Sequence, residues 1–360
     1  MRLEGGQAAA LESIPVASSQ LITPSRPHGS SIHTLITGNG SPYQNFQARI
    51  MYGTYKLVQR MEGGQFLTGF TRILHRTSDD AVVGEIPTFR AAPLHPECDN
   101  WCDFPVADRP NAVHQWVKAA LLDPTLVTGA WVLLLECDYV WMRPLAAPDA
   151  YDLSHPGRQF AFDYIIPSHP SEHCKEIIRR LAGGIDPDTI PASGPAPALL
   201  RFTDFAKVLP PWERVTAAIE ADPESVKVLG WVREMYAWDI GVVQANVSMT
   251  TEGPPHSPLI AQPPHEASLG SAAMCHYTWS VIYKEAGEEL FRWEKRDWTD
   301  PRYALKVPLM SLPPNPWSDT WVMQDGKPVT LGLHDFVTAM LTQMNAAITD
   351  LPDLTPAVAA

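Results

Sequence analysis

Two acidic side chains stand one residue apart in the triplet Glu136-Cys137-Asp138. On an extended backbone, positions two apart leave from the same face, so both carboxylates point the same way. Oxygen ligands so placed suit Mg2+ or Mn2+, which bind carboxylates, water and substrate phosphate. A cation there would bridge the phosphates of a nucleotide and neutralise charge as it departs. A pair of solvated loop carboxylates carries the same three letters. The run directly upstream sharpens the reading. Trp131-Val132-Leu133-Leu134-Leu135 is continuously apolar, the pattern of a strand buried on both faces.

A metal held by two carboxylates wants a third ligand. His276 lies in Met274-Cys275-His276-Tyr277-Thr278-Trp279, an alternating segment that a returning strand would bring to the site. A hydrogen-bonded core histidine fits that pattern too. Diphosphate recognition also calls for cations or backbone N–H groups. Arg72 and Arg109 are placed for it, with a structural ion pair as the alternative for each. Gly38-Asn39-Gly40 lacks the Gly-Lys-Ser/Thr ending of a phosphate loop. It reads as a tight turn that lets a base or ribose approach the strand end at Thr37. Thr37, Arg72, Arg109, Asn111 and Glu136 are therefore the expected nucleotide-sugar contacts. Glu234 and Asp239 flank Met235–Trp238 in an expected helix, and their spacing lets one of them at most face a substrate. A carboxylate there would shield an oxocarbenium-like sugar or accept a proton; a solvated face is the alternative. The chain has no Gly-x-Ser-x-Gly, no Cys nucleophile with a local His and no dinucleotide glycine fingerprint. Hydrolase and dehydrogenase readings lack their anchors.

The elements that must position these residues alternate. A strand over Ile32–Thr37 precedes a helix with Ser41 as N-cap and Pro42 at its first position. Strands near Gly69–His75 and Thr88–Phe89, a helix over Pro110–Leu122 and the strand Trp131–Leu135 follow. That order predicts a doubly wound, mostly parallel α/β sheet, with ligands beyond the carboxyl ends of its strands. Downstream, strands are expected over Phe160–Ile166 and Ala198–Phe202. Helices are expected over Glu172–Ala182, Phe202–Val208, Pro211–Ala221, Val226–Ala245 and Leu333–Asn345. Residues 1–31 read as a disordered leader, 32–345 as a single catalytic domain and 346–360 as a flexible tail.

The formal charge of −13, without a run of Lys or Arg, argues against nucleic-acid binding. Hydrophobic residues at 45% allow a sizeable core. No stretch approaches the ~20 apolar residues of a membrane span, and the N-terminus lacks the basic-then-apolar order of a signal peptide. The reading is a cytosolic protein, or one whose anchor is absent from this chain. The 35 prolines form loop corners, and most of the 12 tryptophans fit a core; a few exposed aromatics would suit a sugar or polyproline groove. Five cysteines match no zinc spacing. A Cys98–Cys102 or a Cys174–Cys275 bridge would suit an oxidising lumen.

Eight blocks in order resemble the plant and algal hydroxyproline O-arabinosyltransferases. They are Gln47–Tyr52, Phe70–His75, Glu85–Phe89, Arg109-Pro110 with Gln115-Trp116, Glu136–Asp138, Gly230–Val232 with Glu234–Ala237, Gln262–Pro264 and His276–Thr278. The resemblance implies a GT-A-type fold and a Golgi-resident enzyme of the secretory pathway. It implies retaining transfer of L-arabinofuranose from the UDP sugar to hydroxyproline in cell-wall glycoproteins or secreted peptides. By it, Glu136 and Asp138 become metal and ribose ligands with His276 as the third ligand, Mn2+ or Mg2+ the cofactor, and Glu234 stands ahead of Asp239. The chain departs from the family at Cys137 (proline in relatives), Tyr139 (histidine) and Asn111 (tryptophan). These departures keep other readings open: galactose transfer to serine, or a silent lectin-like or scaffold protein.

Overall fold

The computed structural model describes residues 27–355, so most of the expected leader and the end of the expected tail lie outside the described residues. Strand β1 (Ile32–Gly38) is buried along its whole length. It turns through Ser41, whose hydroxyl accepts the Gln44 N–H at 3.3 Å, into helix α1 (Pro42–Gln59). Then come β2 (Leu67–His75), β3 (Thr88–Ala91), α2 (Arg109–Leu122), β4 (Trp131–Leu135), β5 (Tyr139–Trp141) and β6 (Gly157–Phe160). The middle holds α3 (Glu172–Leu181), β7 (Ala198–Arg201), α4 (Phe202–Glu220), α5 (Pro223–Leu229) and α6 (Arg233–Gln244). Strands β8 (Met249–Glu252), β9 (Ile260–Ala261), β10 (Met274–His276), β11 (Val281–Glu285) and β12 (Glu288–Trp293) follow. Helix α7 (Pro301–Leu305), β13 (Val322–Met323) and α8 (Leu331–Thr349) complete the order.

The central sheet has seven strands in the order β3-β2-β1-β4-β7-β6-β8. Only β7 runs against its neighbours, so the sheet is mixed but mostly parallel, as expected. Helices α2, α4 and α6 pack as one layer, while α1 packs with α7 and α8 as another. Continuously apolar strands need cover on both faces, and these two layers supply it. A short sheet, β5-β10-β9, extends from the end of β4. In it His276 pairs opposite Tyr139. A second core beneath, built from Phe46, Val140, Cys275, Val281 and the buried face of α8, supports that small sheet.

Several boundaries differ from expectation. The strand expected over Phe160–Ile166 stops at Phe160, because its partner β8 ends at Glu252 directly opposite and the chain then turns at Gly253-Pro254. The two helices expected over Phe202–Val208 and Pro211–Ala221 form one, α4, with Pro210 and Pro211 inside it. An interior proline costs about 3 kcal/mol. Burial of Phe205, Val208, Leu209, Trp212 and Val215 along one face holds the helix through it. The helix expected over Val226–Ala245 breaks at Gly230, whose φ of 63° a helix cannot contain. Helix α8 runs past Asn345 to Thr349, because Ala347 and Ile348 are still buried.

Candidate functional site

Parallel strands put their carboxyl ends at one edge. There β1 brings Thr37, β2 brings His75 and β4 leads into Glu136-Cys137-Asp138. These residues line a cleft of about 470 Å³, closed on other sides by Arg109, Trp231, Lys295 and Arg296. A larger hollow of about 560 Å³ opens beyond Asn39-Gly40. Two of its carboxylates are already engaged, Asp80 by Arg72 and Asp99 by Thr77, so the chemistry belongs to the first cleft.

Pairing of β10 with β5 carries His276 to the triplet. Ligand atoms of Glu136, Asp138 and His276 all lie within 4.8 Å of one another. His276 Nε2 is 3.3 Å from Asp138 Oδ2 and 3.8 Å from Glu136 Oε2. The Thr278 hydroxyl sits 3.1 Å from the His276 ring and orients it. Two carboxylates and one imidazole at that spacing fit Mn2+ or Mg2+, with room in the cleft for water or phosphate oxygens.

Two cations balance the two carboxylates. Arg109 donates to Glu136 and lies 3.5 Å from Glu234. The Lys295 ammonium is 2.5 Å from Asp138 Oδ2. Burial alone would push the Asp138 carboxyl up, but Lys295 and His276 outweigh it and hold it well below the usual range. Cys137, buried in the cleft wall, donates its S–H to the Thr37 carbonyl at 3.1 Å. Burial pushes its thiol up to about 12, which rules it out as a nucleophile. Burial also holds the His75 ring down at about 4.

Glu234 and Asp239 are placed differently from the sequence expectation. Glu234 is buried behind Arg109 and meets the cleft only through that guanidinium. Burial pushes its carboxyl up to about 7, against the pull of Arg109. Asp239 lies deeper, accepts the Ser193 N–H at 3.0 Å and is raised further by burial. Neither lines the cleft. Arg72 is corrected as well: fully buried, it is held bidentately by Asp80 at 2.7 and 2.8 Å, with Asn45 at 3.0 Å. All its donors face inward, so it has none for a phosphate. Asn111 points from α2 toward α4, donating to Glu213 at 2.5 Å, and is not at the cleft. Thr37, Arg109, Glu136, Asp138 and His276 do converge.

Sequence reasoning missed Lys295 and did not single out Trp231. Lys295 sits in a short 3-10 turn after β12, 157 residues from Asp138, with no motif to mark it. Trp231 is 66% exposed at the cleft rim, edge-on to Phe104. Its neighbour Gly230, at the helix break, was the one legible hint. Of the cysteines, Cys98 and Cys102 form a disulfide, while Cys174 and Cys275 are separate buried thiols, so the alternative bridge is not made.

Residues 32–251 match the model of the hydroxyproline O-arabinosyltransferase family N-terminal domain. The chain belongs to the hydroxyproline O-arabinosyltransferase family. Hydroxyproline O-arabinosyltransferase 3 of Arabidopsis thaliana is 33% identical over 288 residues, covering 78% of this chain and 75% of that protein. Hydroxyproline O-arabinosyltransferase 1 of the same plant is 32% identical, over 71% of this chain and 66% of its own. Hydroxyproline O-arabinosyltransferase NOD3 of Pisum sativum is 28% identical over 90% of this chain and 88% of its own. Among solved structures, the galactosyltransferase LgtC aligns over 69% of this chain and 87% of its own, at 11% identity and a TM-score of 0.37. That likeness is distant. The family match ends at residue 251, so His276 and Lys295 come from the part of this arabinosyltransferase-family chain beyond it.

Proposed function

We propose that this chain is a retaining, metal-assisted glycosyltransferase moving L-arabinofuranose from UDP-arabinofuranose to hydroxyproline in an extended cell-wall or secreted glycoprotein. The observation that carries the reading, beside family membership, is the Glu136–Asp138–His276 cluster at the carboxyl end of β4. These three residues would hold Mn2+ or Mg2+, which when bound supplies Lewis-acid stabilisation of the departing diphosphate. Thr37 borders the space for base or ribose. Arg109 presents positive charge to the same cleft, and Glu234 behind it fixes the guanidinium. Glu234 acts in this reading by positioning Arg109, instead of by touching the sugar. Transfer breaks the bond between the anomeric carbon and the diphosphate oxygen. It forms one to the acceptor hydroxyl oxygen on the same face, and the acceptor proton passes to the leaving diphosphate. Cys137, with its thiol inert, offers no covalent alternative.

The proposed setting is the Golgi lumen or another secretory compartment, and the Cys98–Cys102 disulfide supports an oxidising one. No helix among the described residues is long and apolar enough to cross a membrane. Any membrane attachment in this reading comes from an anchor outside them.

A donor panel tests the proposal. UDP-arabinofuranose, UDP-galactose and UDP-glucose are each offered with Mn2+ to a hydroxyproline peptide and to a serine peptide. Pentose transfer to hydroxyproline, lost on adding EDTA, is the expected result. Hexose transfer to serine alone would move the chain to the serine-galactosylating reading. No transfer with any donor, together with no heat of UDP–Mn2+ binding, would leave the scaffold reading.

A further inference from the structure

Two carboxylate–cation pairs in the cleft cancel each other's charge without any ligand. Glu136 and Asp138 contribute two negative charges, Arg109 and Lys295 two positive ones, and each carboxylate touches one of the cations. Asp138 Oδ2 is the oxygen nearest His276, at 3.3 Å, and the same oxygen receives the Lys295 ammonium at 2.5 Å. A metal ion seated between the nearest atoms of Asp138 and His276 would therefore share an oxygen that the lysine already holds. Lys295 has little freedom to withdraw. Its side chain is 10% exposed, and its turn is pinned by the Glu294 carboxylate accepting the Arg296 N–H at 3.1 Å. Arg296 lines the same cleft, so a displaced ammonium faces another positive group.

We propose that Lys295 is a resident counter-charge that couples the two ligands of the cleft. Its ammonium neutralises Asp138 until a divalent cation takes that carboxylate, and it is accommodated afterwards only by the anionic charge of a nucleotide diphosphate. This rests on the metal-site reading above and goes beyond it. A cation alone leaves the cluster with excess positive charge in a partly buried site, which is costly. A diphosphate alone leaves it with excess negative charge. Bound together they restore the balance, so each strengthens the other by the same factor. Lys295 is a positioning residue here, acting on the cation through Asp138.

Calorimetric titrations of the full chain at one pH test this, using Mn2+ alone, UDP alone and each in the presence of the other. The proteins are wild type, Lys295→Met and Lys295→Arg, with a melting curve for each. In wild type, UDP is expected to tighten Mn2+ binding by roughly 10- to 100-fold, the span of ordinary site couplings. Lys295→Met should bind Mn2+ alone about tenfold more tightly, with the UDP effect shrunk by about the same factor. Lys295→Arg, keeping the charge, should retain the wild-type pattern. Equal coupling in wild type and Lys295→Met overturns the proposal, and a lower melting temperature alone would mark Lys295 as a structural brace. If no protein binds Mn2+ even at saturating UDP, the metal-site reading itself fails, and this inference with it.

Discussion

Two pairs of carboxylates sit close together in this molecule and live under opposite rules. Glu136 and Asp138, at the end of β4, line an open cleft, and each contacts a cation. Glu234 and Asp239, on α6, are buried, Glu234 with Arg109 beside it and Asp239 with the Ser193 N–H, and each keeps an oxygen without a partner. The consequence is a split in charge state. Asp138 is held ionised by Lys295 and His276, while burial drives the α6 pair toward the protonated form. Acidic residues spaced closely in sequence thus signal a ligand site only where the fold gives them countercharge and an opening.

The largest effect should come from the cleft pair. Asp138→Asn is expected to lower turnover by roughly a thousandfold or more, about 4 kcal/mol of transition-state stabilisation, with little change in melting temperature. Steady-state kinetics beside a melting curve measure it, and wild-type turnover would erase the distinction between the pairs. Next is the residue that joins them. Above about pH 7, where Glu234 is ionised, Arg109→Met removes the cation beside it and should cost about 3 kcal/mol in denaturant unfolding. Adding Glu234→Gln to that variant should restore part of the loss, since the neutral amide needs no countercharge. If the double variant is no more stable than the single, Glu234 carries no charge worth pairing.

The smallest effect is a pH dependence. The Glu234 carboxyl is raised from 4.5 to about 7, so below the lower value both folded and unfolded chains are protonated and its contribution is intact. Between those values the unfolded chain releases a proton that the folded protein keeps, and stability falls as pH rises, levelling off above about 7. Relative to Glu234→Gln, wild type should lose on the order of 2 kcal/mol by about pH 6. Unfolding curves in EDTA across that range supply the comparison, and parallel profiles for the two proteins would place the Glu234 titration elsewhere.

Much of the sheet was legible because its signals are local. Five apolar residues before an acid-x-acid triplet mark β4 and its exit, and Ser41-Pro42 marks the start of α1. Residues requiring a distant partner were opaque. Arg72 looks like a phosphate ligand until Asp80, across a loop, takes its guanidinium bidentately, with Asn45 and Thr88 accepting beside it. Lys295 has no motif, since only the β11–β12 hairpin brings it to Asp138. Helix breaks were misjudged in both directions. Buried apolar packing carried α4 through Pro210-Pro211, whereas Gly230, in an otherwise helical pattern, took a left-handed conformation and set Trp231 at the cleft rim.

Arg49, fully buried in α1, contacts Glu85 and donates to the carbonyls of Ala304, Leu305 and Pro352. One guanidinium in the first helix is thus completed by acceptors some 250 to 300 positions later. During synthesis Glu85 can pair with that cation early, but its set of acceptors stays incomplete until Pro352 has left the ribosome. The first half of the sheet can assemble early, but the wall that carries Lys295, directly before α7, is anchored to α1 only once Phe46 can stack on Trp298 and Arg49 can reach Ala304 and Leu305. A nascent chain stalled before Lys295 should therefore offer its acidic triplet without the enclosure that makes it a site.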